Sequence, residues 1–258
     1  MCFEFDSIPP ELPDGRVLAR IAGGAGAEII ELVSADGTPF SAAFAESPSP
    51  QGPSVVIYPD IHGLYPFYIQ LAERFAEAGH HAIVIDYFGR TAGLGPRGED
   101  FEYGPHVQQI KVDQVEDDAA AALAALKERT GEGTTAIVGF CLGGMLSFLA
   151  GASGKPDVDA VVGFYGILDG KRFGVEGPLD VATGMKVPVL GLFGGEDQAI
   201  PVNQVEEFDG MLDESGVEHS IYIYPGAPHS FFSKDEEEFA EASEDAWNRT
   251  LEFLSELD

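Results

Sequence analysis

The stretch TTAIVGFCLGGMLSF, residues 134–148, runs from a β-branched apolar segment into a helix-forming one through Gly139-Phe140-Cys141-Leu142-Gly143-Gly144. A strand that turns sharply into a helix forces its central residue into strained backbone geometry, and side chains two residues to either side would collide. Glycines at 139 and 143 meet that demand, so the segment has the G-x-nucleophile-x-G form of a nucleophile elbow, with cysteine where serine more often stands. The turn holds the Cys141 sulfur up from the sheet. The free amides and dipole of the helix N-terminus favour thiolate over thiol. Taken by itself, the pattern is as well explained by a buried structural cysteine beside a tight turn, because such short motifs arise often by chance.

Working outward, the same kind of apolar run recurs. SVVIYPD, HAIVIDYF, DAVVGFY, VPVLGLF and HSIYIYP are short, mostly β-branched or aliphatic, and bounded by Gly, Pro or Asp. Continuous apolar runs suit strands covered on both faces. Helical stripes lie between them: Tyr68, Leu71, Ala72 and Phe75; then Val107, Ile110, Val115, Ala119, Leu123 and Leu126; then Phe239, Ala242, Ala246, Thr250, Phe253 and Leu257. Each reads as core packing. Near the start, Glu28–Val33 and residues 40–44 flank ADGT, whose Asp36-Gly37 pair favours a tight hairpin turn and hence two antiparallel lead-in strands. SPSPQGP, residues 47–53, is a connector, and no repeat is visible. The alternation predicts an α/β fold with a mainly parallel central sheet flanked by helices, whose site forms beyond the carboxyl ends of the strands. Residues 1–258 read as one such domain, with 1–27 as an N-terminal extension.

Composition narrows the function. A net charge of −30 repels nucleic acid and anionic membranes. The 45% of hydrophobic residues exclude a disordered acidic chain, so the acids cover a folded surface. That surface has two readings, simple solubility and adaptation to a salty surrounding in which the charges are screened; solubility is the plainer. Two cysteines, Cys2 and Cys141, make no disulfide framework, and neither a signal sequence nor an eighteen-residue apolar run is present. The expectation is a cytoplasmic protein, a monomer or small homo-oligomer. HExxH, CxxC and EF-hand spacings are absent, and GGAGAE at residues 23–28 lacks the strand and third glycine of a dinucleotide site, so neither metal nor organic cofactor is expected.

An elbow nucleophile requires an acid and then a histidine later in the chain, each just beyond a strand. After VPVLGLF comes GGEDQAIP with Asp197, and after HSIYIYP comes GAPHSFF with His229. Asp197 would hold the imidazole in one tautomer while His229 exchanges a proton with Cys141 and the leaving group. Glu196 is the rival acid; its neighbour's spacing to Pro201 favours Asp197. His80, His81, His106 and His219 sit at element boundaries and read as packing. His62 lies in the loop DIHG after the first parallel strand, where an elbow enzyme takes its second oxyanion donor. The donors assigned are the backbone amides of Ile61 and Leu142, with the His62 side chain read as structural.

VIYPDIHGL, DYFGR, GFCLGG, GGEDQAIP and YPGAPHSFF, in this order and spacing, resemble the dienelactone hydrolase, or carboxymethylenebutenolidase, family over about residues 28–257. The resemblance implies an α/β-hydrolase fold and hydrolysis of a small ester or lactone through a cysteine thioester without a cofactor. It also implies that Asp60, where the family usually has a glutamate, pairs with the resting thiol. Arg90 in DYFGR matches one of two family arginines that bind the substrate carboxylate. At the second, HSFFSKDE offers Phe232 and no arginine. Two alternatives stay open: a broad carboxylesterase or thioesterase with the same triad, and a non-catalytic binding protein of the same fold, against which the retained triad argues.

Overall fold

A computed structural model describes residues 4–18, 26–233 and 237–257, the Arg172 side chain excepted. Cys2 and the first half of the glycine-rich stretch at 23–28, residues 23–25, lie outside those residues. One eight-stranded sheet runs in the order β1-β2-β4-β3-β5-β6-β7-β8. Its strands are β1 Glu28–Val33, β2 Pro39–Ala45, β3 Ser54–Tyr58, β4 Ala82–Ile85, β5 Thr135–Phe140, β6 Ala160–Phe164, β7 Val189–Gly194 and β8 His219–Tyr224. β2 is antiparallel to both β1 and β4, and every pairing from β4 to β8 is parallel. This is the α/β-hydrolase arrangement with an antiparallel lead-in hairpin, as the sequence predicts. The apolar runs fall where a parallel sheet needs them: all residues of β5, β6 and β7 are buried, while edge strand β1 alternates between exposed and half-buried.

Two local readings differ in detail. The hairpin turn is Ser34 to Gly37, with Gly37 at φ +85° and the Gly37 amide bonded to the Ser34 carbonyl at 2.9 Å, so the Asp-Gly pair forms its second half instead of its centre. Asp36 Oδ1 accepts from the Thr38 amide at 2.9 Å and closes the loop. The second helical stripe is broken. Val107 ends a separate helical turn, Gly104–Val107, and the long helix, α2, begins at Val112 and runs to Thr130. Lys111 is extended at its N-cap and Asp113 sits in its first turn, where a carboxylate favours a helix start.

Helices α1 Pro66–Glu77, α3 Leu142–Ser153, α4 Val202–Ser215 and α5 Ala240–Ser255 cover the sheet. Beneath the elbow lies an aromatic stack: Phe140 on Phe164 at 4.6 Å, Phe164 against Phe232 at 4.7 Å, and Phe232 against Trp247 of α5 at 5.4 Å. Phe232 is fully buried there, which gives the absence of an arginine at that position its physical reason. A guanidinium in that stack would be stripped of water with no partner. No helix among the described residues is long and apolar enough to cross a membrane.

Candidate active site

The elbow joins β5 to α3. Cys141 has φ +54° and ψ −110°, a conformation a side chain rarely adopts, and it caps the N-terminus of α3. Both neighbouring glycines are required by contact. A Cβ on Gly139 would stand 2.0 Å from the Gly143 carbonyl oxygen, and one on Gly143 would stand 2.1 Å from the carbonyl oxygen of Tyr58 in β3. The Cys141 amide donates to the Phe164 carbonyl at 3.0 Å, which ties the turn to β6.

The loops after β7 and β8 supply the two polar partners. Asp197 Oδ1 accepts from the amides of Ala199 at 2.8 Å and Ile200 at 3.2 Å, so the loop fixes its own carboxylate. Asp197 Oδ2 lies 2.6 Å from Nδ1 of His229, with the carboxylate buried and the imidazole only 12% exposed. That pairing directs Nε2 of His229 away from the acid. The adjacent Glu196 is exposed, so of the two candidate acids Asp197 meets the imidazole. Cys141, Asp197 and His229 together line one cleft of about 770 Å³, with Ile61, Ile167, Phe173 and Val107 as its apolar wall.

The loop after β3 forms the facing rim. Tyr87 donates to the Pro59 carbonyl at 2.8 Å, and Asp86 Oδ1 accepts from the Leu64 amide at 3.2 Å, so both ends of the loop are pinned. Burial pushes the Tyr87 hydroxyl well above its ordinary range, so it stays a donor. Asp60 Oδ1 accepts from the His62 amide at 2.8 Å and faces Nδ1 of its imidazole at 3.0 Å. Its other oxygen is buried and accepts no hydrogen bond, so the contacts that fix the Asp60 carboxylate come from its own loop.

The His62 side chain, packed against two tyrosines, also borders the cleft. Its ring lines the cleft beside Cys141 and His229, stacked on Tyr65 at 4.9 Å and edge-on to Tyr103 at 4.7 Å. The Asp-x-His spacing, in which an acid takes the amide two residues on, was the signal available. Tyr165, which the sequence reading did not single out, follows β6 at φ +38° with its ring 5.0 Å from that of His229.

Arg90 is not brought to the cleft. It stands in a helical turn after β4, Gly89–Ala92, and its guanidinium reaches Asp118 at 2.6 Å, Ser34 at 2.8 Å and Asp36 at 3.0 Å. Three acceptors satisfy the fork, and Asp118 is buried with it. No group of three or more metal-ligating side chains occurs among the described residues.

A parallel sheet whose central strand ends in a strained elbow, with an acid and a histidine delivered by later loops, defines an α/β hydrolase. The dienelactone hydrolase family profile matches residues 40–257, and the chain belongs to that family. It is 30% identical over 228 residues to a carboxymethylenebutenolidase-like protein of Methylorubrum extorquens, covering 82% of this chain and 75% of that one. The carboxymethylenebutenolidase of Rhodococcus opacus is 28% identical, over 81% of this chain and 83% of its own. A crystal structure from Klebsiella pneumoniae, described as of dienelactone hydrolase type, superposes with a TM-score of 0.74 at 28% identity, covering 88% of this chain and 99% of that one.

Proposed function

We propose that the protein hydrolyses a small ester or lactone through a cysteine acyl-enzyme, with Cys141, His229 and Asp197 as its triad. The observation that carries this is the 2.6 Å contact between Asp197 and His229 in a cleft shared with an elbow cysteine. His229 Nε2 takes the thiol proton as the sulfur attacks the acyl carbonyl. The amides of Ile61 and Leu142 receive the charge that develops on the carbonyl oxygen. Collapse breaks the carbon–oxygen bond, and the alcohol leaves with the proton held by His229. Water, deprotonated by the same imidazole, then attacks the thioester and releases the acid and the free thiol. Asp197 keeps Nδ1 protonated and offsets the imidazolium charge throughout.

Within this reading a broad esterase is favoured over an enzyme restricted to dienelactone, because Arg90 is bound to Asp118, Asp36 and Ser34 and not to the cleft. The decisive experiment is hydrolysis of p-nitrophenyl acetate with rapid acid quench and mass spectrometry. The expected result is turnover with an acetyl adduct on Cys141. Absence of turnover with every short ester and lactone tried would leave a binding protein of this fold as the better account.

A further inference from the structure

Beside the catalytic cleft lies a second cavity of about 440 Å³, and His62, Tyr103 and Glu4 line both. One wall is aromatic and continuous. Phe5 meets Tyr65 edge-on at 5.4 Å, Tyr65 stacks on His62, and His62 meets Tyr103. Phe101 closes the far side, its ring already carrying the guanidinium of Arg97 at 5.1 Å, a cation that Asp86 neutralises from behind. The rim is acidic, with Glu4, Asp6 and Glu99 exposed around the opening. Directly behind His62 sits buried Asp60, whose Oδ1 meets the His62 amide and ring while its Oδ2 has no hydrogen-bond partner, so the wall is backed by a carboxylate answered on one oxygen only.

We propose that this cavity is a subsite for an ammonium group carried on one limb of the ester that Cys141 cleaves. The proposal rests on the hydrolase reading above and supplies its substrate class. Single exposed carboxylates are screened and worth little. Here three of them converge on a recess walled by rings, where an alkylammonium buries its methyl or methylene groups against the aromatic surface and presents its charge to the π faces and the rim. That convergence registers on Tyr65: burial and, after it, the charges of Asp60, Glu4, Glu99 and Asp6 push its hydroxyl up to about 12. A carboxylate on the substrate would meet repulsion from the same groups. The shared lining residues let one molecule place its carbonyl at Cys141 and its cation in the recess.

The test compares choline and betaine esters with their neutral carbon isosteres, in which a tert-butyl group replaces trimethylammonium, at low and high salt. The expected result is a kcat/KM ratio favouring the cation by roughly tenfold in at least one pair. Salt should reduce that ratio, and so should Glu4→Gln with Glu99→Gln; taking the ratio within each variant cancels any effect on the chemistry itself. Equal rates, or preference for the neutral isostere, in both pairs would overturn the subsite while leaving the hydrolase reading intact. If no ester is cleaved, the hydrolase reading fails, and calorimetric titration with benzyltrimethylammonium decides the cavity alone. Saturable, salt-sensitive binding lost in the double variant supports it, and no binding refutes it.

Discussion

At residue scale, the 2.6 Å contact of Asp197 with His229 separates two acids that are adjacent in the sequence. Asp197→Asn keeps the shape and removes the charge that holds imidazolium, so kcat/KM for p-nitrophenyl acetate should fall by about 10³ to 10⁴. Glu196→Gln, at an exposed position, should change it less than about threefold. The reverse ranking would move the triad acid to Glu196. Cys141→Ser should lose at least about a hundredfold, since a hydroxyl is far harder to deprotonate than a thiol at a helix N-terminus. Iodoacetamide should inactivate the enzyme with label on Cys141, and Cys2→Ala should keep full activity. Activity lost with Cys2 instead would remove the elbow from the mechanism.

At the scale of elements, the elbow is a close crossing of β5, α3 and β3, and glycine is what allows it. Gly139→Ala would drive a Cβ into the Gly143 carbonyl. The expected cost is at least about 3 kcal/mol by urea denaturation, together with loss of esterase activity in whatever fraction still folds. Arg90 is an inter-element clamp that joins the turn after β4 to the β1–β2 hairpin and to α2. Arg90→Ala leaves Asp118 buried without its cation, so a loss of roughly 3 kcal/mol at pH 7 is expected, with the ratio of rates on a carboxylate-bearing lactone and its methyl ester unchanged. The sign with pH follows from Asp118. Burial already holds its carboxyl above the ordinary range, with Arg90 pulling against that. Removing Arg90 raises it further, so the penalty is full where Asp118 must ionise and shrinks as the pH falls through its raised value. A penalty that is constant between pH 7 and pH 4.5, or a changed substrate ratio, would contradict the clamp.

For the whole molecule, 44 acidic against 14 basic residues create self-repulsion that the sheet and its packing must withstand. Raising sodium chloride from about 0.05 to 1 M shortens the screening length from roughly 14 to 3 Å and should raise Tm by several degrees. A Tm that stays flat or falls would mean that local ion pairs, such as Arg129 with Glu28, outweigh the net field. The same charge separates fold from selectivity. Repulsion is spread over the surface, whereas the cleft and its neighbouring cavity act at contact distance.

The amino-acid sequence by itself determines the sheet and the elbow. Both depend on local patterns: buried β-branched runs between helical stripes, and glycines flanking one residue at a strand-to-helix turn. It also places Cys141, Asp197 and His229 at one edge, just beyond β5, β7 and β8, because parallel strands put their following segments on the same side. Only the tertiary structure decides between Asp197 and Glu196, since neighbouring side chains in a loop point apart and the amides of Ala199 and Ile200 select one of them. The same holds for Arg90, whose partners Ser34, Asp36 and Asp118 stand 56, 54 and 28 positions away in the chain. His62 enters the cleft for a similar reason, through an acid that turns its loop and aromatic rings brought from residues 65 and 103. Periodicity reports which face of an element is buried; it carries no record of which distant charge or ring will meet a long polar side chain.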